Sequence, residues 1–178
     1  NIDNNYVKHC CAMLASLFSN NKVKFHVYII TDNLDESLSN ILKSFVEDDF
    51  GNQLSIYSVA KEIVNKCPES HCSHITVAGF YRCFVASLLP NSISKVLYID
   101  CDLIVNGSVK DLWDIDISNY ALGAIEDQWS SKEDYYTRLK YPKSYSYFNS
   151  GVMLINLDYL RKYNFEADVL DYVKMYPE

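Results

Sequence analysis

Residues 95–105 read K-V-L-Y-I-D-C-D-L-I-V, and this stretch constrains the fold more than any other. Val96, Leu97, Tyr98 and Ile99 form a continuous β-branched and aromatic apolar run. Such a run fits a strand covered on both faces, as in a parallel sheet. It stops abruptly at Asp100-Cys101-Asp102. Side chains alternate between faces along a strand. Where the chain bends on leaving a sheet, however, two carboxylates one residue apart can reach one point. That edge is where open α/β sheets bind ligands. Paired anionic oxygens suit a hard divalent cation such as Mn²⁺ or Mg²⁺, and such a cation recruits a diphosphate. The plain alternative is a pair of acids in a solvated turn. Asp-x-Asp alone arises often by chance, and only its place directly after a buried strand favours the metal.

Composition narrows the options. The 178 residues are about one domain's length, and a hydrophobic fraction of 49% is ample for a core. The net charge of −7 argues against nucleic acid, whose phosphates need a basic face. It suits a metal-bridged anionic ligand, because the cation supplies the attraction. No apolar stretch approaches the roughly 20 residues of a membrane span, and no signal peptide is seen in these residues. Of six cysteines, Cys10, Cys11 and Cys83 fall within helical patterns. That usage fits reduced, buried thiols in a cytoplasmic protein rather than a disulfide framework.

Along the chain, Val7, Cys10, Cys11, Leu14, Leu17 and Phe18 recur at helical spacing, and Asn20-Asn21 ends the helix. Residues 25–31 (FHVYIIT) read as a strand. Asp35 is a candidate N-cap for a helix whose inner face is Leu38, Ile41, Leu42, Phe45 and Val46, stopped by Gly51. Residues 54–59 are a further strand, and helix–strand–helix–strand implies parallel pairing through right-handed crossovers. Residues 65–74 hold Cys67, His71, Cys72 and His74. Their cramped spacing lacks the paired C-x-x-C and H-x-x-x-H of structural zinc sites, so the segment reads as a loop. Residues 75–89 form a helix with Val77, Phe80, Phe84 and Leu88 inward, closed by Pro90. Arg82 lies on it, and its plain role is a surface charge. After the central strand, Asn106-Gly107 marks a turn and Ser108 caps a short helix through Trp113. Residues 121–125 are a strand, 130–141 a polar, tyrosine-rich segment near the ligand edge, and 147–156 a polar turn followed by a strand. Residues 157–163 and 165–176 are closing helices. With no repeat and no linker, residues 1–178 make one domain.

Three segments, HITVAGFYRCFVASLLP, KVLYIDCDLIVNGSVKDLWDID and YFNSGVMLINLDYLRK, together resemble family-eight glycosyltransferases. This retaining group includes bacterial lipopolysaccharide galactosyl- and glucosyltransferases and glycogenin, and the resemblance runs over nearly the whole chain. It implies the GT-A fold, an α/β architecture with a mostly parallel, Rossmann-like sheet flanked by helices, here incomplete at both ends. It implies Mn²⁺-dependent transfer of galactose or glucose from a UDP-hexose donor to a glycan or lipopolysaccharide acceptor, with contact at the membrane periphery. Carried over by position, Asp3, Asn5 and Tyr6 match the loop that holds uracil, with Tyr6 stacking on the base. Arg82 matches an arginine lining the donor-sugar pocket. Asp100 and Asp102, with Cys101 between them, match the metal-gripping pair. Asn149, with Ser150 and Gly151 beside it, matches a segment facing the donor sugar. Asp127 and His74 match acceptor-side positions.

Two departures bear on these expectations. The family's strand before the uracil loop is absent, which implies an open sheet position and hence weak folding or self-association. The family's later Asp-Gln pair and His-x-x-Gly-x-x-Lys-Pro-Trp segment, which supply the third metal ligand and phosphate contacts, are also absent. The chain therefore reads as the donor-binding portion of such an enzyme, and as inactive by itself. Two alternatives stand beside transfer. One is a non-catalytic nucleotide-sugar-binding module. The other is a haloacid-dehalogenase-like phosphatase, which also places Asp-x-Asp after an apolar strand, but near the start of its domain.

Overall fold

The structure is a computed structural model that describes residues 1–64, 77–127, 135–142 and 144–176. A 3₁₀ turn at Asn4–Tyr6 leads into helix α1 (Val7–Ser19). Strand β1 (His26–Thr31), helix α2 (Glu36–Lys43) with a π turn (Ser44–Asp49), strand β2 (Gln53–Ser58) and the short helix α3 (Lys61–Val64) follow. A 3₁₀ helix (Val77–Phe84) runs into α4 (Val85–Leu88) and then β3 (Lys95–Ile99). The remainder is α5 (Lys110–Trp113), β4 (Leu122–Glu126), α6 (Tyr135–Arg138), β5 (Phe148–Asn156), α7 (Leu157–Lys162) and α8 (Phe165–Met175).

The α/β class expected from the sequence is the one observed. Pairing directions divide within it. β1 and β2 pair in parallel, joined by the α2 crossover, with Ile29 opposite Ile56. β3, expected in a parallel sheet, pairs antiparallel with β5, and β5 pairs antiparallel with β4, in the order β3-β5-β4. The physical reason is that a continuous apolar run reports burial on both faces, whatever the direction of the neighbouring strand. Both faces of β3 are indeed covered. Val96 and Tyr98 pack on one core cluster, built on Ile30, Tyr81, Met153 and Leu157. Ile99 packs on the other, built on Cys10, Leu14, Ile29 and Leu42. β1 shows the same alternation, with Ile30 in the first cluster and Ile29 in the second. The two ladders therefore share one layer with helices on both faces, although β1 and β3 form no ladder with each other among the described residues. Each fully buried leucine, such as Leu42 or Leu157, stabilises this arrangement by about 1.5–3 kcal/mol.

Two helical faces differ from expectation. Leu42 and Val46 centre the buried stripe of α2 and its π turn, whereas Ile41 is 55% exposed because it points about 100° away from Leu42. The segment before Pro90 opens as a 3₁₀ rather than an α-helix. Its buried residues therefore step by three, Ala78, Tyr81 and Phe84, since side chains three apart eclipse in that geometry.

Candidate functional site

The site begins at the end of β3. The Asp100 N–H donates to the Gly151 carbonyl (2.7 Å), which carries the β3–β5 pairing one residue past the strand. Asp100 is thus anchored to β5, and Asp102, exposed, lies in the turn beyond. Asp100, Cys101 and Asp102 line a small cleft of about 180 Å³ with Asp3, Tyr6 and Arg82, and with Asn1, Ile2, Ala78, Gly79 and Tyr98. Residues distant in sequence are brought there by three elements: the N-terminal 3₁₀ turn, the 3₁₀ helix carrying Arg82, and β3.

Arg82 is not a solvated surface charge. Its side chain is only 22% exposed, and Nη2 lies 3.2 Å from Asp100 Oδ1. Nε donates to the Gly79 carbonyl (2.8 Å), and Nη1 donates to the carbonyl (2.8 Å) and hydroxyl (3.2 Å) of Ser150. The guanidinium carbon sits 4.8 Å above the Tyr98 ring. The Tyr98 hydroxyl donates to Asp100 Oδ1 at 2.6 Å. Burial, more than any neighbour, pushes the Tyr98 hydroxyl well above the usual tyrosine range, so it remains a donor. Oδ1 of Asp100 thus accepts from the Tyr98 hydroxyl and pairs with the Arg82 guanidinium, and Oδ2 has no donor among the described residues. A Cβ placed on Gly151 would lie 3.0 Å from that Oδ2. Asn149 Oδ1 accepts from the Gly151 N–H at 2.9 Å.

The other expected site residues divide. Asp3 lines the cleft, and its Oδ1 also caps the N-terminal turn, accepting from the Asn5 (2.8 Å) and Tyr6 (3.3 Å) N–H groups. Asn5 is exposed and contributes through that turn. Ser150 and Asn149 adjoin the cleft through Arg82 and Gly151 rather than lining it. Asp127 is at the end of β4, its N–H bonded to the Tyr147 carbonyl (2.8 Å), and it does not line the cleft. His74 and the possible zinc residues Cys67, His71 and Cys72 lie outside the described residues. Sequence reasoning missed Tyr98 and Gly79. The signal for Tyr98 was available, because it stands two residues before Asp100 and so shares its strand face.

A larger cavity, about 590 Å³, opens at the far end of the same strands, between Lys95, Asn156 and Tyr159. It lacks the carboxylate pair at a strand's C-terminal end, so the smaller cleft is the candidate site. Asp100 and Asp102 bring to the cleft the anionic oxygens that a divalent cation takes, and Oδ2 of Asp100 is left without a donor among the described residues. The described residues hold no group of three or more His, Cys, Asp or Glu arranged to bind a metal. Cys10, Cys11 and Cys101 are free thiols.

Residues 1–178 match the model of glycosyl transferase family 8. The chain belongs to that family. The family 8 chain is 32% identical over 184 residues to General stress protein A of Bacillus subtilis, covering 99% of itself and 61% of that protein. It is 26% identical to the lipopolysaccharide 1,3-galactosyltransferase of Salmonella typhimurium, covering 97% of itself and 52% of the relative. It superposes on the galactosyltransferase LgtC, solved with donor and acceptor sugar analogues, with a TM-score of 0.86 at 26% identity, over 99% of this chain and 63% of that one. The chain therefore spans about half to two thirds of the length of these relatives. Family membership leaves the phosphatase alternative without support. Among the described residues, no helix is long and apolar enough to cross a membrane.

Proposed function

We propose that this family 8 chain is the donor-binding part of a retaining hexosyltransferase that moves galactose or glucose from a UDP-sugar to a glycan or lipopolysaccharide acceptor. The observation that carries the reading is the convergence of Asp100, Asp102, Arg82, Asp3 and Tyr6 on one cleft at the C-terminal end of β3.

In this reading Asp3, Asn5 and Tyr6 hold the uracil, Tyr6 by stacking. Asp100 and Asp102 supply two oxygens to Mn²⁺ or Mg²⁺. When bound, that cation stabilises, as a Lewis acid, the charge growing on the departing diphosphate. Arg82 and Asn149 orient the donor sugar, a positional contribution that lowers the entropic part of the barrier. Retention by double displacement needs a carboxylate nucleophile near the anomeric carbon. Among the described residues the cleft offers only Asp3, Asp100 and Asp102, all given other tasks, which supports front-side attack by the acceptor hydroxyl. The lipopolysaccharide acceptor is supported by the Salmonella relative's own activity.

Calorimetric titration of UDP with and without Mn²⁺, on the parent chain and on Asp100→Asn and Asp102→Asn, tests the proposal. The expected result is metal-dependent UDP binding, weakened about 100-fold or more in either variant. Undiminished binding in both variants would refute the metal assignment. Binding without any UDP-sugar turnover by the full-length protein would favour a non-catalytic binding module.

A further inference from the structure

We propose that Tyr98 is a positioning residue for the metal-facing carboxylate: its hydroxyl and the Arg82 guanidinium clamp Oδ1 of Asp100, so that Oδ2 alone is presented to the cation. The inference deepens the function proposed above and rests on its metal reading. Three observations carry it.

First, the 2.6 Å bond from the Tyr98 hydroxyl to Oδ1 is short, as charge-assisted bonds to a carboxylate are. Second, the Tyr98 ring is itself held, packed against the core cluster of Ile30 and Tyr81 on one side and lying under Arg82 at 4.8 Å. A donor on a fixed ring sets the carboxylate's torsion, and a donor on a flexible side chain does not. Third, the space on the other side of Asp100 is kept by Gly151, where a Cβ would approach Oδ2 to 3.0 Å. The carboxylate is thereby fixed with Oδ1 held by Tyr98 and Arg82 and Oδ2 left without a donor among the described residues. Outer partners of this kind orient metal ligands, and their loss typically lowers metal affinity 10- to 100-fold.

The test is Tyr98→Phe, which keeps the ring, its core packing and the Arg82 stack and removes only the hydroxyl. Mn²⁺ affinity in the presence of UDP is read from the free-Mn²⁺ electron paramagnetic resonance signal. UDP affinity without metal is read by calorimetry, and folding by circular dichroism. Tyr98→Phe is expected to weaken Mn²⁺ binding about tenfold, with metal-free UDP affinity unchanged. Unchanged Mn²⁺ affinity in folded Tyr98→Phe, while Asp100→Asn loses it, overturns the Tyr98 inference and leaves the metal reading standing. A parent protein that binds no Mn²⁺ with UDP overturns both. Gly151→Ala provides a second arm should Tyr98→Phe not fold. Its methyl group crowds Oδ2 from the opposite side, so Mn²⁺ affinity is expected to fall, and an unaltered affinity counts against Oδ2 as the metal-facing oxygen.

Discussion

The Arg82 guanidinium bonds to Gly79, Ser150 and Asp100 while lying over the Tyr98 ring. One planar, forked cation thus ties the 3₁₀ helix, the start of β5 and the end of β3 into one wall of the cleft. A lysine carries the same charge but cannot make these bonds at once, so Arg82→Lys is not a conservative change here. It leaves the half-buried carbonyl of Gly79 without a donor, at a cost of about 1 kcal/mol, and hands the exposed Ser150 carbonyl to water. Urea unfolding of Arg82→Lys should therefore show a lower midpoint, and an unmoved midpoint would show that water replaces the arginine freely. The position of Arg82 on a helical segment was legible in the sequence. Its partners were not, because Ser150 lies 68 residues away and no local pattern announces that contact.

At the scale of elements, the C-terminus of α1 is stitched to the loop that follows the Asp pair. Asn20 Nδ2 donates to the Val105 carbonyl (2.9 Å), and the Val105 N–H donates to Ser16 Oγ (2.9 Å). Asn21, buried, donates to the carbonyls of Leu17 (2.8 Å) and Gly107 (3.3 Å) and accepts from the Val109 N–H (2.9 Å). The asparagine pair therefore does more than end a helix, which is all that its sequence position suggests. It holds residues 105–109 against α1, and so fixes the outgoing side of the turn that carries Asp102. Asn21→Ala leaves the buried Leu17 carbonyl and two half-buried backbone groups, the Gly107 carbonyl and the Val109 N–H, short of a partner, so it should destabilise by about 1–3 kcal/mol. Equilibrium urea denaturation at constant m-value reads this directly, and a parent-like midpoint would mean that the loop is held by other contacts. The 3₁₀ helix from Val77 illustrates the other direction. Its apolar residues were visible, but an α-helical period placed Phe80 inward where the tighter winding buries Tyr81.

For the molecule as a whole, buried thiols and phenols set an alkaline limit. Burial pushes the Cys10 thiol up to about 12. It also raises Cys11 and Cys101, and the hydroxyls of Tyr28 and Tyr98 move in the same direction. A group whose pKa is raised in the folded state holds its proton longer there than in the unfolded chain. The stability it contributes is whole below the ordinary thiol pKa of about 8.5 and is lost as pH rises from there toward 12. The thermal midpoint, measured under reductant, should therefore fall steadily between pH 8 and 11 by this linkage. A flat profile over that range would show that Cys10 is not shielded as its 1% exposure indicates.

The amino-acid sequence by itself determined the alternation of helices and strands, the α/β class and the Asp-Cys-Asp pair at the end of a buried run. Each of these is written in local periodicity, because apolar spacing reports which face a residue buries. Tertiary structure alone decided that β5 lies between β3 and β4 and antiparallel to both, that Arg82 and Tyr98 share Oδ1 of Asp100, and that Gly151 leaves room for the other oxygen. Those facts depend on hydrogen bonds and close approaches between segments tens of residues apart. A periodicity states how much of a strand is covered; it does not state by which partner or in which direction.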